Sequence, residues 1–350
     1  MSTSLLLSVI VPVFNEEAVL PEFHRRLAAV LAGLPLASEI IYVDDGSSDG
    51  SVAALRALRE GDARLAILQL SRNFGKEAAM TAGLDHAQGD AVVVIDADLQ
   101  DPPELISDFV HHWQQGYDVV YARRTARDGE SALKRFTAYA FYRVAERLCK
   151  VRIPRDTGDF RLLSRRVVDA LLRLREEHRF MKGLFAWVGF RQKAVDYRRD
   201  PRHAGTSKWN YWKLWNFALE GITSFTTTPL KVSTYLGLLV AFSAFLYGIF
   251  IVADTLLQGN PVPGYPSLLV VVLFLGGSQL VALGIIGEYL GRMFDETKDR
   301  PLYLVGDFAP ARPAGMPEAG RMAVVESLEP ALRRRRLARL ATPARRKVAQ

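Results

Sequence analysis

The sequence predicts an α/β protein: a mostly parallel, doubly wound sheet followed by interfacial amphipathic helices and a two-helix transmembrane hairpin. Three observations support this. Residues 5 to about 125 alternate short aliphatic runs with segments of helical spacing, the pattern of βαβ units. Two uncharged apolar stretches, Val232–Val252 and Leu268–Ile286, are each long enough for a hydrocarbon core of about 30 Å. Between these regions lies a basic stretch with three closely spaced tryptophans, Trp209, Trp212 and Trp215.

The expected strands are Leu5–Val13, Glu39–Val43, Leu65–Leu70, Ala91–Ile95 and Val119–Ala122. The expected helices are Ala18–Leu31, Val52–Leu58, Glu77–His86 and Glu104–Trp113, the last preceded by Pro103, suited to a first helical turn. Leu5–Val13 has no basic region before it and runs into Asn15-Glu16-Glu17, so it reads as a buried strand and not as a signal peptide. A dinucleotide fold would follow that strand with a glycine-rich turn. Here Pro12-Val13-Phe14-Asn15-Glu16-Glu17 contains no glycine, and a P-loop is missing.

Two acid clusters stand where strands end. Ala91–Ile95 runs into Asp96-Ala97-Asp98-Leu99-Gln100-Asp101, and ligands in open α/β sheets bind at the carboxyl ends of strands. Clustered carboxylates repel, and a divalent cation with a taste for hard oxygen, Mg²⁺ or Mn²⁺, removes the conflict. The alternative is that Asp96 and Asp98 are solvated acids capping the next helix. Strand two ends in Asp44-Asp45-Gly46-Ser47-Ser48-Asp49-Gly50. Ser47, Ser48 and Asp49 read equally well as a helix cap, whereas Asp44 and Asp45 are better placed for a base or ribose.

Past residue 125 the pattern changes. Ala132–Lys150 carries an apolar stripe flanked by Lys134, Arg135, Arg143 and Arg147, a core face or a membrane-surface helix. Thr157–Arg161 reads as polar loop, Val167–Leu174 as helix, Phe180–Phe190 as core or groove rim, and Val195–Arg199 as a late strand. Tryptophans beside Lys208 and Lys213, just before the apolar spans, favour an interfacial helix. The connection Gln258–Pro266 has no Lys or Arg, whereas Lys231 precedes the first span and Arg292, Lys298 and Arg300 follow the second. The positive-inside rule puts both chain ends in the cytosol. Gly287 and Gly291 form a G-x-x-x-G that suits close helix packing.

With 350 residues the chain holds one large domain plus appendages: 1–200 the α/β domain, 201–229 interfacial, 230–292 membrane (spans at about 232–254 and 267–290) and 293–350 a basic tail. Cys149 is the sole cysteine, which excludes an internal disulfide. The net charge of +7 is concentrated towards the C-terminus, from Arg333–Arg336 to Lys347. Anionic lipid is the expected partner of that tail; nucleic acid would rest on it alone and is set aside. Asp307–Gln350, rich in Pro, Ala and Arg, is expected to be disordered.

Pro12–Glu17, Asp44-Asp45-Gly46-Ser47 and Asp96-Ala97-Asp98 together resemble family-2 glycosyltransferases of the GT-A fold. Arg72-Asn73-Phe74-Gly75-Lys76, Asp96–Pro103 and Thr157-Gly158-Asp159-Phe160-Arg161 narrow the resemblance to polyprenyl-phosphate glycosyltransferases. Of these, the bactoprenol glucosyltransferases, which share the membrane segments, are nearer than the dolichol-phosphate mannose synthases. The resemblance covers roughly residues 5 to 305. It implies inverting transfer of a sugar, with UDP-glucose the favoured donor, to undecaprenyl phosphate on the cytosolic face of the inner membrane. Matching to the family assigns Pro12, Asn15, Glu16, Asp44, Asp45, Asp96, Ala97, Gln100 and Arg123 (or its neighbour Arg124) to the nucleotide sugar, and Asp96 and Asp98 to Mg²⁺ or Mn²⁺. Asp98, Asp159 and Arg161 carry the catalytic expectation, and Arg202, Ser207 and Lys208 the acceptor phosphate. A phosphate monoester has its second pKa near about 6 and arrives largely as a dianion, so Asp159 need not remove a proton. The resemblance leaves it as a base or as an orienting group. Association of copies through their membrane parts is a further expectation.

Two rivals remain in view. A processive polysaccharide synthase would carry Q-x-x-R-W, and none of the tryptophans here has that setting. A catalytically idle membrane scaffold would have no need of acids at every motif position.

Overall fold

The computed structural model describes residues 5–125, 157–177, 179–197, 228–258 and 264–311. The first half delivers the expected alternation: β1 (Leu6–Val13), α1 (Leu20–Ala32), β2 (Ala37–Asp44), α2 (Ser51–Gly61), β3 (Leu65–Leu70), α3 (Lys76–His86), β4 (Ala91–Val94), a 3₁₀ turn (Pro103–Leu105), α4 (Ile106–Gln114) and β5 (Val119–Arg124). Then follow β6 (Thr157–Ser164), α5 (Arg165–Leu171), α6 (Met181–Trp187), β7 (Gln192–Tyr197), α7 (Thr228–Gln258), α8 (Tyr265–Thr297) and β8 (Val305–Ala309).

The strands form one sheet in the order β7-β5-β6-β4-β1-β2-β3-β8. β1 runs parallel to β2 and β4, β2 to β3, and β5 to β7; β6 and β8 run against their neighbours. Apolar clusters fill both faces. Leu7, Val9, Val11, Phe23, Leu27, Phe109 and Phe160 belong to one, and Ile10, Val43, Met80, Val92, Leu163 and Phe185 to the other. Burial on both faces explains why the strands read as continuous aliphatic runs.

Two expectations change. Thr157–Arg161 is not loop: Thr157–Ser164 is a wholly buried strand inserted between β4 and β5. Its polar letters are retained because they end at the site. The chain after residue 293 is not uniformly tail, since Val305–Ala309 pairs antiparallel with β3 and closes that edge of the sheet. Phe308 packs against His86 with ring centroids 5.0 Å apart.

α7 and α8 are longer than the apolar runs that predicted them, with 31 and 33 residues. Candidate membrane spans run Leu230–Phe250 and Val270–Thr297, and none of either span is buried within the protein. A helical hairpin belonging to a soluble core would be buried. The C-terminal end of α8 touches the sheet domain, where Glu296 Oε1 accepts the Glu177 backbone N–H at 2.7 Å. Among the described residues nothing lies within 4 Å of a Cβ placed at Gly287 or Gly291, so the G-x-x-x-G makes no close contact with them.

Candidate active site

The site assembles because β6 runs backwards. β4 ends at the sheet edge where β1 and β2 also end, and β6 begins there. Val94 faces Arg161 across the β4–β6 ladder. Asp96 lies two residues beyond Val94, past the end of β4, and Asp159 two residues before Arg161 in β6, and both reach the Lys76 ammonium. Sequence distance concealed this meeting; the antiparallel register creates it.

Beyond β4 the burial alternates. Ile95, Ala97 and Leu99 lie in the core, whereas Asp96, Asp98 and Gln100 are half-buried. Ala97 therefore offers a ligand its backbone only, because its side chain belongs to the packed interior. Gln100 Oε1 is buried without a hydrogen-bond partner among the described residues. Asp101 turns inward and is bonded to the Tyr197 hydroxyl.

The two loops expected to hold the nucleotide interlock. Asn15, at φ 56°, accepts the Ser48 N–H on its Oδ1 at 2.8 Å and donates its own N–H to Ser47 Oγ at 3.0 Å. The Glu16 N–H donates to Ser51 Oγ at 2.9 Å. Ser47 and Ser48 thus bind the loop after β1; Asp49 Oδ1 accepts the Ser51 N–H at 3.0 Å at the start of α2. Pro12 lies past the last β1–β4 pair, Ile10 with Val94, where a missing N–H breaks no ladder on that side.

Asp44 and Asp45 are fully buried. Asp44 receives the Ser47 N–H at 3.3 Å. Asp45 receives the Phe74 and Gly75 N–H groups at 2.7 and 2.9 Å, so both its oxygens hold the Arg72–Lys76 loop. Burial pushes its carboxyl up, against those two bonds. Gly46, at φ 70°, allows the approach: a Cβ there would come within 2.6 Å of the Arg72–Asn73 backbone.

The pinned loop starts α3 with Lys76, the residue that sequence reasoning left without a role. Its Nζ lies 2.7 Å from Asp96 Oδ1 and 2.6 Å from Asp159 Oδ2. Enclosure alone would lower the Lys76 ammonium, but Asp159 and Asp96 hold it above the usual lysine range. Burial would likewise raise Asp159, yet Lys76 and Lys182 hold it well below the usual carboxylate range. Its other oxygen, Oδ1, is buried with no hydrogen-bond partner among the described residues. Next in sequence, Glu77 is pushed up to about 8 by burial and the charge of Asp159.

Arg161, expected among the catalytic residues, lies beside Asp159 and donates from Nε to its backbone carbonyl at 3.3 Å. It is buried, donates to the Gly158 carbonyl at 2.7 Å, and stacks on Phe185 at 3.9 Å. Burial drops it to about 10 despite Asp159. Its bonds to the Gly158 and Asp159 carbonyls brace the start of β6. Pleating likewise separates Arg123 from Arg124. Arg123 is exposed and pairs with Asp196 at 2.6 Å, while Arg124 donates to the Tyr197 hydroxyl at 3.2 Å and feels the charges of Asp101 and Asp96. Of the two arginines, Arg124 is the one beside the crevice acids. Arg202, Ser207 and Lys208, the Ala132–Lys150 stripe and the tryptophan-rich stretch lie outside the described residues.

Among the described residues no group of three or more His, Cys, Asp or Glu is arranged to hold a metal by itself. The donor set still fits Mg²⁺ or Mn²⁺. Asp96 and Asp98 supply hard oxygen at one edge, and a cation, the Lys76 ammonium, already sits on Asp96. Mg²⁺ is commonly held by one or two carboxylates and completed by substrate phosphates.

The structure thus sets paired acids at the carboxyl edge of a mixed α/β sheet, with two helices beyond it that are long and apolar enough to cross a membrane. Residues 8–172 match glycosyl transferase family 2, and residues 228–293 match the GtrB C-terminal hairpin. The chain is 54% identical over 301 residues to an uncharacterised glycosyltransferase of Synechocystis, covering 86% of this chain and 95% of that one. It is 50% identical over 299 residues to the SfII prophage-derived bactoprenol glucosyl transferase of Shigella flexneri (85% and 97% covered). A prophage bactoprenol glucosyl transferase homolog of Escherichia coli is 48% identical, with 85% and 98% covered. The chain belongs to glycosyl transferase family 2 and is a glycosyltransferase.

Proposed function

We propose that the protein transfers glucose from UDP-glucose to a polyprenyl phosphate, with undecaprenyl phosphate the favoured acceptor, at the cytosolic face of the inner membrane. The observation that carries this reading is the convergence of Asp96 and Asp159 on Lys76 at one sheet edge of a chain that also bears an unburied apolar hairpin. The coverage of relatives named bactoprenol glucosyl transferase supports the acceptor class. The lack of Lys and Arg between the uncharged runs Val232–Val252 and Leu268–Ile286, with Lys231 before the first and Arg292, Lys298 and Arg300 after the second, supports a cytosolic active site.

Asn15, Glu16 and Asp44, on the interlocked loops, are assigned to the base and ribose, together with Pro12. Asp45 sets the loop that presents Lys76. Asp96 and Asp98 would hold a divalent cation, which would supply positive charge to neutralise the departing nucleotide. Arg124 takes the donor role expected of Arg123. The acceptor phosphate, already anionic, attacks the anomeric carbon from the face opposite the diphosphate. The carbon–oxygen bond to the nucleotide breaks as the new one forms, so an α-linked donor gives a β-linked product. With its carboxyl held ionised by two lysines, Asp159 orients the acceptor side without needing to gain a proton. Arg202, Ser207 and Lys208 are assigned to the acceptor phosphate.

Purified protein in detergent, given radiolabelled UDP-glucose, Mg²⁺ and undecaprenyl phosphate, is expected to yield labelled lipid that disappears with EDTA or in Asp98→Asn. Failure to label any lipid phosphate across a panel of UDP- and GDP-sugars would refute the reading. A reporter fused at Pro263 is expected outside and one at Gln350 inside; the reverse overturns the orientation.

A further inference from the structure

The Lys76 ammonium bridges two carboxylates, Asp96 just past the end of β4 and Asp159 near the start of β6. It lies 2.7 Å from Asp96 Oδ1, 2.8 Å from Asp96 Oδ2 and 2.6 Å from Asp159 Oδ2. Without a cation between them, acids in this position repel. The two ends of the bridge differ. The Asp96 side chain keeps 26% of its exposure and Lys76 keeps 42%, whereas Asp159 keeps 10%. The Asp96 end is therefore open to a competing cation, and the Asp159 end is closed.

The backbone that carries Lys76 is fixed. Asp45 holds the Phe74 and Gly75 N–H groups, and α3 begins at Lys76 itself. Its four-carbon stem remains flexible, and the ammonium donates three hydrogen bonds without a preferred plane. It can thus leave one carboxylate while keeping the other. Asp159 Oδ1 is buried with no hydrogen-bond partner among the described residues, so the carboxylate relies on its bond from Lys76, which favours retention there.

We propose that Lys76 is a positioning cation that competes with the divalent ion for Asp96. Once displaced, it stays on Asp159 and offsets the charge of the incoming acceptor phosphate. This deepens the glycosyl-transfer reading and rests on it for the identity of the acceptor. The ion and the lysine then divide the anions between them: donor diphosphate to the metal, acceptor phosphate to the ammonium.

The test is Mn²⁺ binding to the full-length detergent-solubilised protein with UDP present, followed by the EPR signal of free Mn²⁺. Lys76→Met and Lys76→Gln remove the competitor and are expected to bind Mn²⁺ more tightly by about tenfold, the worth of one charge-assisted contact. Lys76→Arg, which keeps the charge, is expected to bind Mn²⁺ less tightly than either. At saturating Mn²⁺ the two neutral variants are expected to show a raised KM for lipid phosphate and a lowered kcat. A merely structural ion pair predicts unchanged or weaker Mn²⁺ binding, and that result overturns competition. Tighter Mn²⁺ binding with an unchanged KM for lipid phosphate overturns the acceptor half. Mn²⁺ binding with UDP is independent of sugar and lipid, so a failed glucosyl-transfer assay leaves this measurement decisive for Lys76.

Discussion

The carboxylate of Asp45 accepts the backbone N–H of Gly75 at 2.9 Å, and so a buried acid on one loop fixes where Lys76 enters the site. A second bond, from Phe74 at 2.7 Å, completes the clamp. Asp45→Asn turns an amide NH₂ towards one of these donors and leaves it unpaired. The expected cost is about 1–3 kcal/mol, read as a lowered thermal midpoint in detergent. Because the same loop places Lys76, transfer activity should fall further than stability alone explains.

Neighbouring arginines on β5 are expected to behave differently. Arg124 shares the crevice with Asp96 and Asp101, whereas Arg123 pairs with Asp196 at the surface. Arg124→Gln is expected to lower kcat/KM by about 10²-fold, the order seen when one electrostatic stabiliser is removed from a site. Arg123→Gln is expected to change it by less than about fivefold, as exposed ion pairs contribute little. Equal effects would return the donor role to Arg123.

Glu77 predicts a pH dependence of stability. Burial holds its folded pKa at about 8, above the ordinary 4.5, so the folded chain keeps a proton that the unfolded chain releases. Stability is therefore expected to fall as pH rises from about 4.5 through about 8. Glu77→Gln, which still accepts the Met181 N–H that Glu77 receives at 3.2 Å, should flatten that slope. Urea midpoints across this range decide it; a wild-type slope retained in the variant assigns the titration elsewhere.

The last strand offers a fourth test. Phe308 on β8 packs on His86 and covers the outer edge of the sheet beside β3. Phe308→Ala is expected to cost about 1–3 kcal/mol, less than a fully buried phenylalanine because the ring is only half covered. Limited proteolysis within 298–311 should accelerate in parallel.

Strand and helix placement was legible in the sequence because both sheet faces are covered and aliphatic runs report that burial directly. The acids were legible too: Asp44, Asp45, Asp96 and Asp98 all follow such runs. Their roles were less so. Asp45 and Arg161 look like ligand residues by letter, but each is occupied with backbone groups, and the side a residue faces is set by pleat and register. Thr157–Arg161 read as a loop because its polar letters mask a buried strand.

By itself, the sequence determined a mostly parallel sheet, its acid-bearing edge, and two spans apolar enough for lipid. Local composition suffices for each, since burial and hydrophobic length are properties of contiguous residues. Only the tertiary structure decided that Asp159 meets Asp96, that Lys76 lies between them, and that Arg124 rather than Arg123 turns inward. Those facts depend on an antiparallel strand brought beside β4 from far along the chain. Electrostatic partners are chosen by distance in space, and separation in sequence carries no record of it.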